Sequence, residues 1–402
     1  MLTAVGGFVD VSELVFVSQA GSRFQFALIW VIVFATVGIM VFGEMSGRVA
    51  AMSRQPLFNV IRHRLGFSLG LVTLVGAFVS TLITCGAEIG GVALVLQLLT
   101  GWNYALLAIA ATAFFVVSVY LLPFKWIERS YGLLGLFMLV FGAAFLALDP
   151  PWNEIAGGLQ PQVPSGMGQR DLLAYAYFAV ALTSAIMFPY ELYFYSSGAV
   201  EDGWSGSDLL TNRATTFLGF GLGSTIAIAI LCLSAQQFGS RGISPEMIGT
   251  VVMQPGLAFG KLGILLGLLG ILFAIGGAAI ETCLACAYGV SQFHGWRWGR
   301  HCKPKQTPLF TMAWIGVFVL ALAIVLTGVE PVELADYAVV TSIVVLPLSF
   351  LPLLLVARDR TFMRDKANGV LSNTLGWFYY GVIVLAALAA IPLYLLTSGG
   401  KL

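Results

Sequence analysis

The sequence predicts an all-α membrane protein with about eleven transmembrane helices, arranged as two inverted five-helix repeats and one extra helix. Three observations lead to this fold class. The composition is that of a membrane protein, stretches long enough to span a bilayer recur along the whole chain, and a six-residue motif occurs twice, five spans apart. We therefore expect a single membrane domain, residues 1–402, with repeats at 1–148 and 172–357 and the extra helix at 374–397.

The composition excludes a soluble protein. Of the 402 residues, 59% are hydrophobic and only 10% are charged, and the mean hydropathy is +0.93. A soluble core could not bury that much apolar surface, so the lipid bilayer is the expected surrounding. The net charge of +1 gives no reason to expect a nucleic acid or an obligate protein partner.

The individual spans follow from apolar length, because a helix needs roughly 20 apolar residues to cross the hydrocarbon layer. Glycine, proline and charged residues separate successive stretches. A short first helix is expected to end near residue 20, and no cleavable signal peptide is expected, because no basic segment precedes it. The other spans are expected at 25–47, 67–99, 103–122, 130–148, 172–198, 214–237, 258–292, 308–328, 337–357 and 374–397.

Basic residues test this assignment, because lysine and arginine accumulate in cytoplasmic loops. We expect a multi-pass protein of the cell (plasma or inner) membrane with a cytoplasmic N-terminus and an outside C-terminus. In that orientation only Arg23, Arg170, Arg241, Lys261 and Lys401 lie outside. The cytoplasmic loops hold Arg48, Arg54, Arg62, Arg64, Lys125, Arg129, Arg213, Arg297, Arg300, Lys303, Lys305, Arg358, Arg360, Arg364 and Lys366.

The internal repeat is the most informative feature. Residues 13–18 read Glu-Leu-Val-Phe-Val-Ser and residues 191–196 read Glu-Leu-Tyr-Phe-Tyr-Ser. Because an odd number of spans relates them, the two copies run in opposite directions, as in secondary transporters whose two broken helices form a midplane site. Helix breakers precede both copies, Gly6 and Gly7 in the first and Pro189 in the second. Chance similarity is the alternative, but glutamates at matched positions inside spans are rare.

Acidic residues inside spans point to protons or cations. Each costs about 2.5–3.5 kcal/mol to insert, and basic residues are nearly absent at the same depth, so protonation or a bound cation must compensate them. Asp10 and Glu13 share a helical face or flank an unwound turn, and such hard oxygen ligands suit Mg²⁺, Ca²⁺ or Mn²⁺. Glu44 is expected to pair with Arg48. Glu281 is either a proton-relay acid or a helix-packing acid.

These residues carry a resemblance to the Nramp family of proton-coupled divalent metal transporters, over nearly the whole chain. That family has a LeuT-like inverted-repeat fold with Asp-Pro-Gly-Asn in its broken first helix and Met-Pro-His-Asn in its broken sixth. Here residues 10–13 read Asp-Val-Ser-Glu and residues 188–191 read Phe-Pro-Tyr-Glu. Residues 87–91, Ala-Glu-Ile-Gly-Gly, are similar to the family's Ala-Glu-Val-Ile-Gly, and residues 351–354, Leu-Pro-Leu-Leu, to its Ile-Pro-Leu-Leu.

The resemblance implies a secondary active transporter, a proton-coupled symporter of divalent metal ions of the Mn, Fe or Mg class, and not an enzyme. The metal ion and the protons are its transported substrates, and no cofactor is expected. The implied site groups three sets of residues. The metal ligands are Asp10, Glu13, Glu191 and the backbone at Val9 and Met187. The residues that line the site are Phe188, Pro189, Tyr190 and Cys85. The residues for proton coupling are Glu88 and Glu281.

Departures from the family leave the metal and the coupling open. Phe188 replaces the family's metal-binding methionine, so weak preference for transition metals is expected. Glu13 and Glu191 replace the two asparagines, which adds negative charge. Cys85 replaces an aspartate of the third helix, and none of the three histidines lies in an expected span.

Two other functions remain alternatives. A LeuT-like carrier of an amino acid or other small organic substrate would keep the fold, but helix ends that bind a substrate carboxylate are not expected to be lined by acids. A receptor or sensor without turnover is the other alternative. Two features are expected to be structural. Cys283 and Cys286 are expected to be packing residues, and Trp296 and Trp298, beside Arg297 and Arg300, are expected to anchor the protein at the cytoplasmic membrane interface.

Overall fold

The computed structural model describes residues 9–164, 166–243, 245 and 248–400, and its long elements are helices. Ten segments of these residues are long and apolar enough to cross a membrane. The helices are α1 (Val11–Phe24), α2 (Ile29–Ser53), α3 (Leu57–Thr100), α4 (Tyr104–Leu121), α5 (Phe124–Ala147), α6 (Trp152–Gly158), α7 (Gln169–Ile186), α8 (Pro189–Glu201), α9 (Leu209–Gln237), α10 (Ile248–His294), α11 (Pro308–Leu326), α12 (Pro331–Arg358), α13 (Arg360–Met363) and α14 (Val370–Thr397).

The all-α fold and the break in the sixth span are confirmed. The expected span at 172–198 consists of α7 and α8, which are interrupted at Met187 and Phe188. The first helix was expected to end near residue 20, which is wrong, because α1 continues to Phe24. With 14 residues, α1 is too short to cross a bilayer alone. The expected breakers Gly6 and Gly7, and Lys401, lie outside the described residues.

Two of the longest helices are each kinked at one glycine near the start. Gly66 in α3 has φ 74° and ψ −178°, and Gly260 in α10 has φ 60° and ψ −141°. Only glycine adopts this backbone region readily. Each kink separates a short helix, at 57–65 in α3 and at 248–259 in α10, from a long span. These short helices were not expected from the sequence, and they precede corresponding spans of the two predicted repeats.

Loops alternate between two faces of the helix bundle. We call the face with the α2–α3, α4–α5, α8–α9, α10–α11 and α12–α14 connections the arginine-rich face. Contacts between these connections tie it together, such as the ion pair of Arg64 with Asp359 at 2.7 Å. Hydrogen bonds from Thr361 and Arg64 lower the pKa of Asp359 to about 2, so this pair stays ionised at mildly acidic pH.

The expected pair of Glu44 and Arg48 is confirmed, with Arg48 Nε 2.9 Å from Glu44 Oε1. Arg48 also donates to Asn368 Oδ1 at 2.7 Å, so the pair joins α2 to the segment before α14. Glu44 is therefore a structural acid and belongs to the arginine-rich face rather than to the centre of the bundle.

The kink geometry gives a test of the fold. Gly66→Ala and Gly260→Ala should each destabilise the protein by about 1–3 kcal/mol, because a Cβ is strained in this backbone region. A lower melting temperature of the purified protein in detergent would report the loss. Gly381→Ala in α14 is the matched control, since Gly381 is helical and a Cβ added there would meet no heavy atom within 4 Å. Equal melting temperatures for all three variants would contradict the kinks.

Candidate functional site

The interruption between α7 and α8 lies at a buried position of the bundle. Met187 ends α7 and Phe188 precedes α8, and both are fully buried. Pro189 has no N–H, so it cannot donate to the carbonyl of Ala185 as a residue in a continuous helix would. Inside a membrane such a carbonyl needs another partner. The sequence therefore leaves one backbone carbonyl near the break without its helical donor.

The start of α1 meets this interruption from the other half of the chain. Asp10 is the N-cap of α1, and its Oδ1 accepts a hydrogen bond of 2.7 Å from the N–H of Glu13. Of the two arrangements expected for Asp10 and Glu13, the structure has Asp10 at the helix end and Glu13 in the first turn. Val9, directly before the cap, is also buried.

Glu88 of α3 provides a second hydrogen-bond acceptor for the same helix end. Its Oε1 accepts a hydrogen bond of 3.2 Å from the N–H of Val11, and the residue is fully buried. Carboxylates are favourable at helix N-termini, where backbone N–H groups have no intrahelical partner. This role of Glu88 was not visible in the sequence, because its partner lies 77 residues away.

Five side-chain oxygens around the two helix breaks are buried without a hydrogen-bond partner in the described part of the chain. Leaving a buried polar group unpaired costs about 1–3 kcal/mol, so a cluster of them calls for an explanation. Oxygens are the ligands that hard divalent cations prefer. The five are Asp10 Oδ2, Ser12 Oγ, Glu88 Oε2, Tyr190 OH and Glu191 Oε2. We call them the central oxygens.

The acids of this cluster are electrostatic neighbours. Asp10 interacts with Glu13 and with Glu88, and Tyr190 interacts with Asp10, Glu88 and Glu191. Glu191 in turn interacts with Asp10 and Glu13. The two copies of the repeated motif therefore bring their glutamates to one region, next to Asp10. Like charges this close in a dry interior repel one another unless a proton or a cation compensates them.

Two aromatic rings pack against each other where α8 begins. The rings of Phe188 and Tyr190 lie 5.5 Å apart at an angle of 36°, and both side chains are fully buried. Cys85 was expected to line the site, and the structure places its thiol 3.8 Å from the carbonyl of Ala279 on α10. Cys283 and Cys286 also lie against neighbouring backbone carbonyls, of Trp314 and Phe78, in agreement with the expected packing role.

A vestibule of about 490 Å³ leads from the arginine-rich face to the central oxygens. Its wall contains Glu191, together with Glu281 of α10 and Glu128 of α5. A second vestibule, of about 480 Å³, lies at the opposite face beside Gln19 and Asp336, and none of the central oxygens belongs to its wall. Access to the site in this conformation is therefore from the arginine-rich face.

Arg300 is a candidate functional residue whose position was predicted wrongly from the sequence. It was expected to anchor the protein at the membrane interface, but its side chain is only 8% exposed, because Glu201 and Asp202 bind it at 3.3 Å each. Its guanidinium also lies 4.7 Å from the ring centre of Phe124. Arg300 thus forms part of the vestibule wall, and its charge faces the acids of that cavity.

In the described ranges, no group of three or more His, Cys, Asp or Glu side chains is already arranged to hold a metal ion. The predicted ligands Asp10, Glu13 and Glu191 are brought to one region with Tyr190 and Glu88. Glu281 lies with Glu191 on the vestibule wall, and it carries none of the central oxygens.

Comparisons with known proteins agree with this architecture. The profile of the family described as natural resistance-associated macrophage protein-like (Nramp) matches residues 1–392. Divalent metal cation transporter MntH 1 of Pseudomonas aeruginosa is 26% identical over 402 residues, covering 95% of this chain and 88% of that protein.

Two solved structures show the same fold. The manganese transporter of Eremococcus coleocola, in complex with an aromatic bis-isothiourea substituted compound, is 20% identical, with a TM-score of 0.75 over 97% of this chain and 84% of that one. MhsT in complex with L-phenylalanine is 15% identical, with a TM-score of 0.65 over 98% of this chain and 97% of that one. At these identities the likeness concerns the fold alone.

Two substitutions separate the capping hydrogen bond of Asp10 from the effect of its charge. In the absence of divalent ions, Asp10→Ala should destabilise the protein by about 1 kcal/mol, because the N–H of Glu13 loses its acceptor. Asp10→Asn keeps an acceptor and removes repulsion with Glu13 and Glu88, so its melting temperature should equal or exceed that of the wild type. If the two variants melt equally early, the cap is not what Asp10 contributes to stability.

Proposed function

The chain belongs to the natural resistance-associated macrophage protein-like (Nramp) family, and on this basis we propose that it is a secondary transporter of divalent metal cations. The observation that carries the proposal is the set of central oxygens, five buried acceptor atoms that lack a partner within the described residues, at two helix breaks. A small cation that enters this region satisfies the oxygens and compensates the carboxylates at once.

The charge of the site favours a cation over an organic acid. Asp10, Glu13 and Glu191 are electrostatic neighbours, and Glu88 occupies the N-terminal end of α1 with its own carboxylate. In a carrier for an amino acid, such a helix end is where the substrate carboxylate would bind. Here a protein carboxylate already holds that position, which disfavours the alternative of an amino-acid carrier.

The proposed ligands are Asp10, Glu13 and Glu191, with backbone carbonyls at Val9 and Met187. All of them are hard oxygen donors, which suit Mg²⁺, Ca²⁺ and Mn²⁺. Phe188 lies where the family has a thioether, so no soft ligand comes from that position. We therefore expect weak discrimination of Mn²⁺ from Mg²⁺.

The arginine-rich face is the proposed cytoplasmic side of a cell membrane, because basic loops accumulate there. The N-terminus then lies in the cytoplasm and the C-terminus outside. In that orientation the vestibule that reaches Glu191 would open to the cytoplasm, which supports an inward-open state. Ions would be released through this vestibule, past Glu281.

Protons are the proposed coupling ions. Asp10, Glu13, Glu88 and Glu191 would carry four negative charges, of which one divalent ion compensates two. At least one of these acids is therefore protonated in part of the cycle. Glu88 is our choice, because it contacts the end of α1 directly and its second oxygen accepts no hydrogen bond from the described residues. Protons would leave by way of Glu191 and Glu281, which interact electrostatically.

Asp10→Asn and Glu191→Gln should each weaken divalent ion binding at least tenfold, by about 1.4 kcal/mol, because each removes a charged ligand but keeps an oxygen. Calorimetric titration of the purified protein with Mn²⁺ and Mg²⁺ measures the effect. The control is Glu154→Gln, an exposed acid on α6. Wild-type affinity in both site variants would remove these carboxylates from the ligand set.

Ion affinity should fall as the pH decreases from about 8 to about 5, because protons compete with the cation for the same carboxylates. Glu88→Gln retains the acceptor for the N–H of Val11 but cannot ionise, so its affinity should depend much less on pH. Glu154→Gln should keep the wild-type profile. If Glu88→Gln preserves both the pH dependence and cation-driven proton flux in liposomes, Glu88 only caps α1 and another acid couples the protons.

A further inference from the structure

Two segments of the arginine-rich face meet and bring five arginines to one region. Arg64, at the end of the α3 short helix, forms an ion pair of 2.7 Å with Asp359, the residue before α13. Its guanidinium also lies 5.6 Å from the ring centre of Phe362 in α13. The ion pair joins positions 295 residues apart in the chain. The arginines within five residues of it are Arg62, Arg64, Arg358, Arg360 and Arg364, and we call them the arginine patch.

Buried neighbours hold the backbone of the patch against the helix bundle. Met363 of α13 is fully buried, and the carbonyl of Lys366 accepts a hydrogen bond of 2.6 Å from Arg48 of α2. On the α3 side, Arg62 donates to the carbonyl of Phe293. All five arginines of the patch are nevertheless exposed. The patch is therefore an exposed surface on a fixed backbone.

The acids of these segments already have basic partners. Asp359 is bound by Arg64, and Asp365 lies 3.0 Å from Lys366. The other patch arginines beside and within the connection from α12 to α14 have no carboxylate within 4.0 Å among the described residues. This part of the surface therefore carries an excess of positive charge that the described side chains do not compensate.

Exposed apolar side chains adjoin the patch in the chain. Phe67, directly after the Gly66 kink, is 63% exposed, and Val370, the first residue of α14, is 88% exposed. Leu355 and Leu371 are exposed as well. Large apolar side chains exposed on membrane spans face the lipid, and arginines at the ends of such spans reach the interface. The patch therefore lies where the apolar surface ends, at the level of the lipid headgroups.

We propose that the arginine patch binds the phosphate headgroups of anionic phospholipids. Guanidinium groups bind phosphate oxygens through paired hydrogen bonds, which makes arginine well suited to this ligand. Basic clusters directly beside a transmembrane helix attract anionic lipids in the same way. The acyl chains of the lipid lie along the exposed apolar residues at the start of α14, a surface that a soluble phosphate does not use. This inference does not depend on which substrate is carried.

The test is the affinity of the purified full-length protein for phosphatidylglycerol, measured in detergent by native mass spectrometry. Arg358→Gln, Arg360→Gln and Arg364→Gln are combined in one variant, and Arg64 is kept because its pair with Asp359 joins the two segments. The variant should bind phosphatidylglycerol about tenfold more weakly than the wild type, or weaker still, because three charges near the headgroup are lost. Its melting temperature without added lipid should equal that of the wild type.

The matched control combines Arg54→Gln, Arg129→Gln and Lys305→Gln. It removes the same charge from exposed positions that are spread over the arginine-rich face. The control should bind phosphatidylglycerol as the wild type does, and phosphatidylcholine, which has no net charge, should bind equally weakly to all three proteins. Equal losses of affinity in the patch variant and the control would show attraction by overall charge and overturn the proposal. Unchanged affinity in the patch variant would also overturn it.

Inorganic phosphate distinguishes a lipid site from a site for a soluble anion. In large excess it should reduce phosphatidylglycerol binding no more than chloride does at the same ionic strength, because it lacks acyl chains. Specific displacement by phosphate would contradict the assignment to lipid. If the triple variant does not fold, Arg360→Gln combined with Arg364→Gln should give a smaller loss in the same direction. Because lipid binding needs no divalent ion, the proposed transport function can fail while this inference holds, and the reverse.

Discussion

A helix that breaks inside a membrane leaves backbone N–H and C=O groups that protein, water or an ion must satisfy. This constraint organises the centre of the molecule. Where α1 begins, Asp10 and Glu88 accept hydrogen bonds from the first N–H groups. Where α7 ends, Pro189 leaves a carbonyl without its helical donor. The side chains that accept the free N–H groups at the start of α1 are acids. Their carboxylates therefore repel one another at the same place.

Repulsion among these carboxylates explains why the site is suited to cations. Each acid makes a hydrogen bond with one oxygen or none, and the second oxygens of Asp10, Glu88 and Glu191 remain buried and unpaired within the described residues. In a purely structural network every buried polar atom would be expected to have a hydrogen-bond partner, since unpaired buried polar atoms destabilise the fold. Loss or gain of a cation and of protons changes the repulsion among these acids.

The sequence was sufficient for the fold and for four of the five residues that carry the central oxygens, because these depend on local signals; Ser12 was not predicted. Apolar length predicted the spans, Pro189 predicted the break, and the paired motifs identified Glu13 and Glu191 as equivalent residues. Contacts between distant segments could not be predicted. Glu88 as a partner of Val11, Arg300 inside a vestibule wall and Arg64 beside Asp359 each depend on packing between elements. The kinks had a visible signal in Gly66 and Gly260, but a glycine alone does not distinguish a kink from close helix packing.

The most direct measurement is the position of a bound ion in crystals grown with Mn²⁺, located by its anomalous scattering. The account predicts one strong peak between the carboxylates of Asp10 and Glu191, at about 2.0–2.6 Å from the oxygens, the range for hard divalent ions. It also predicts that the peak disappears in Asp10→Asn. A peak confined to the vestibule beside Glu128 and Glu281, or density for an organic molecule at the helix breaks, would contradict it.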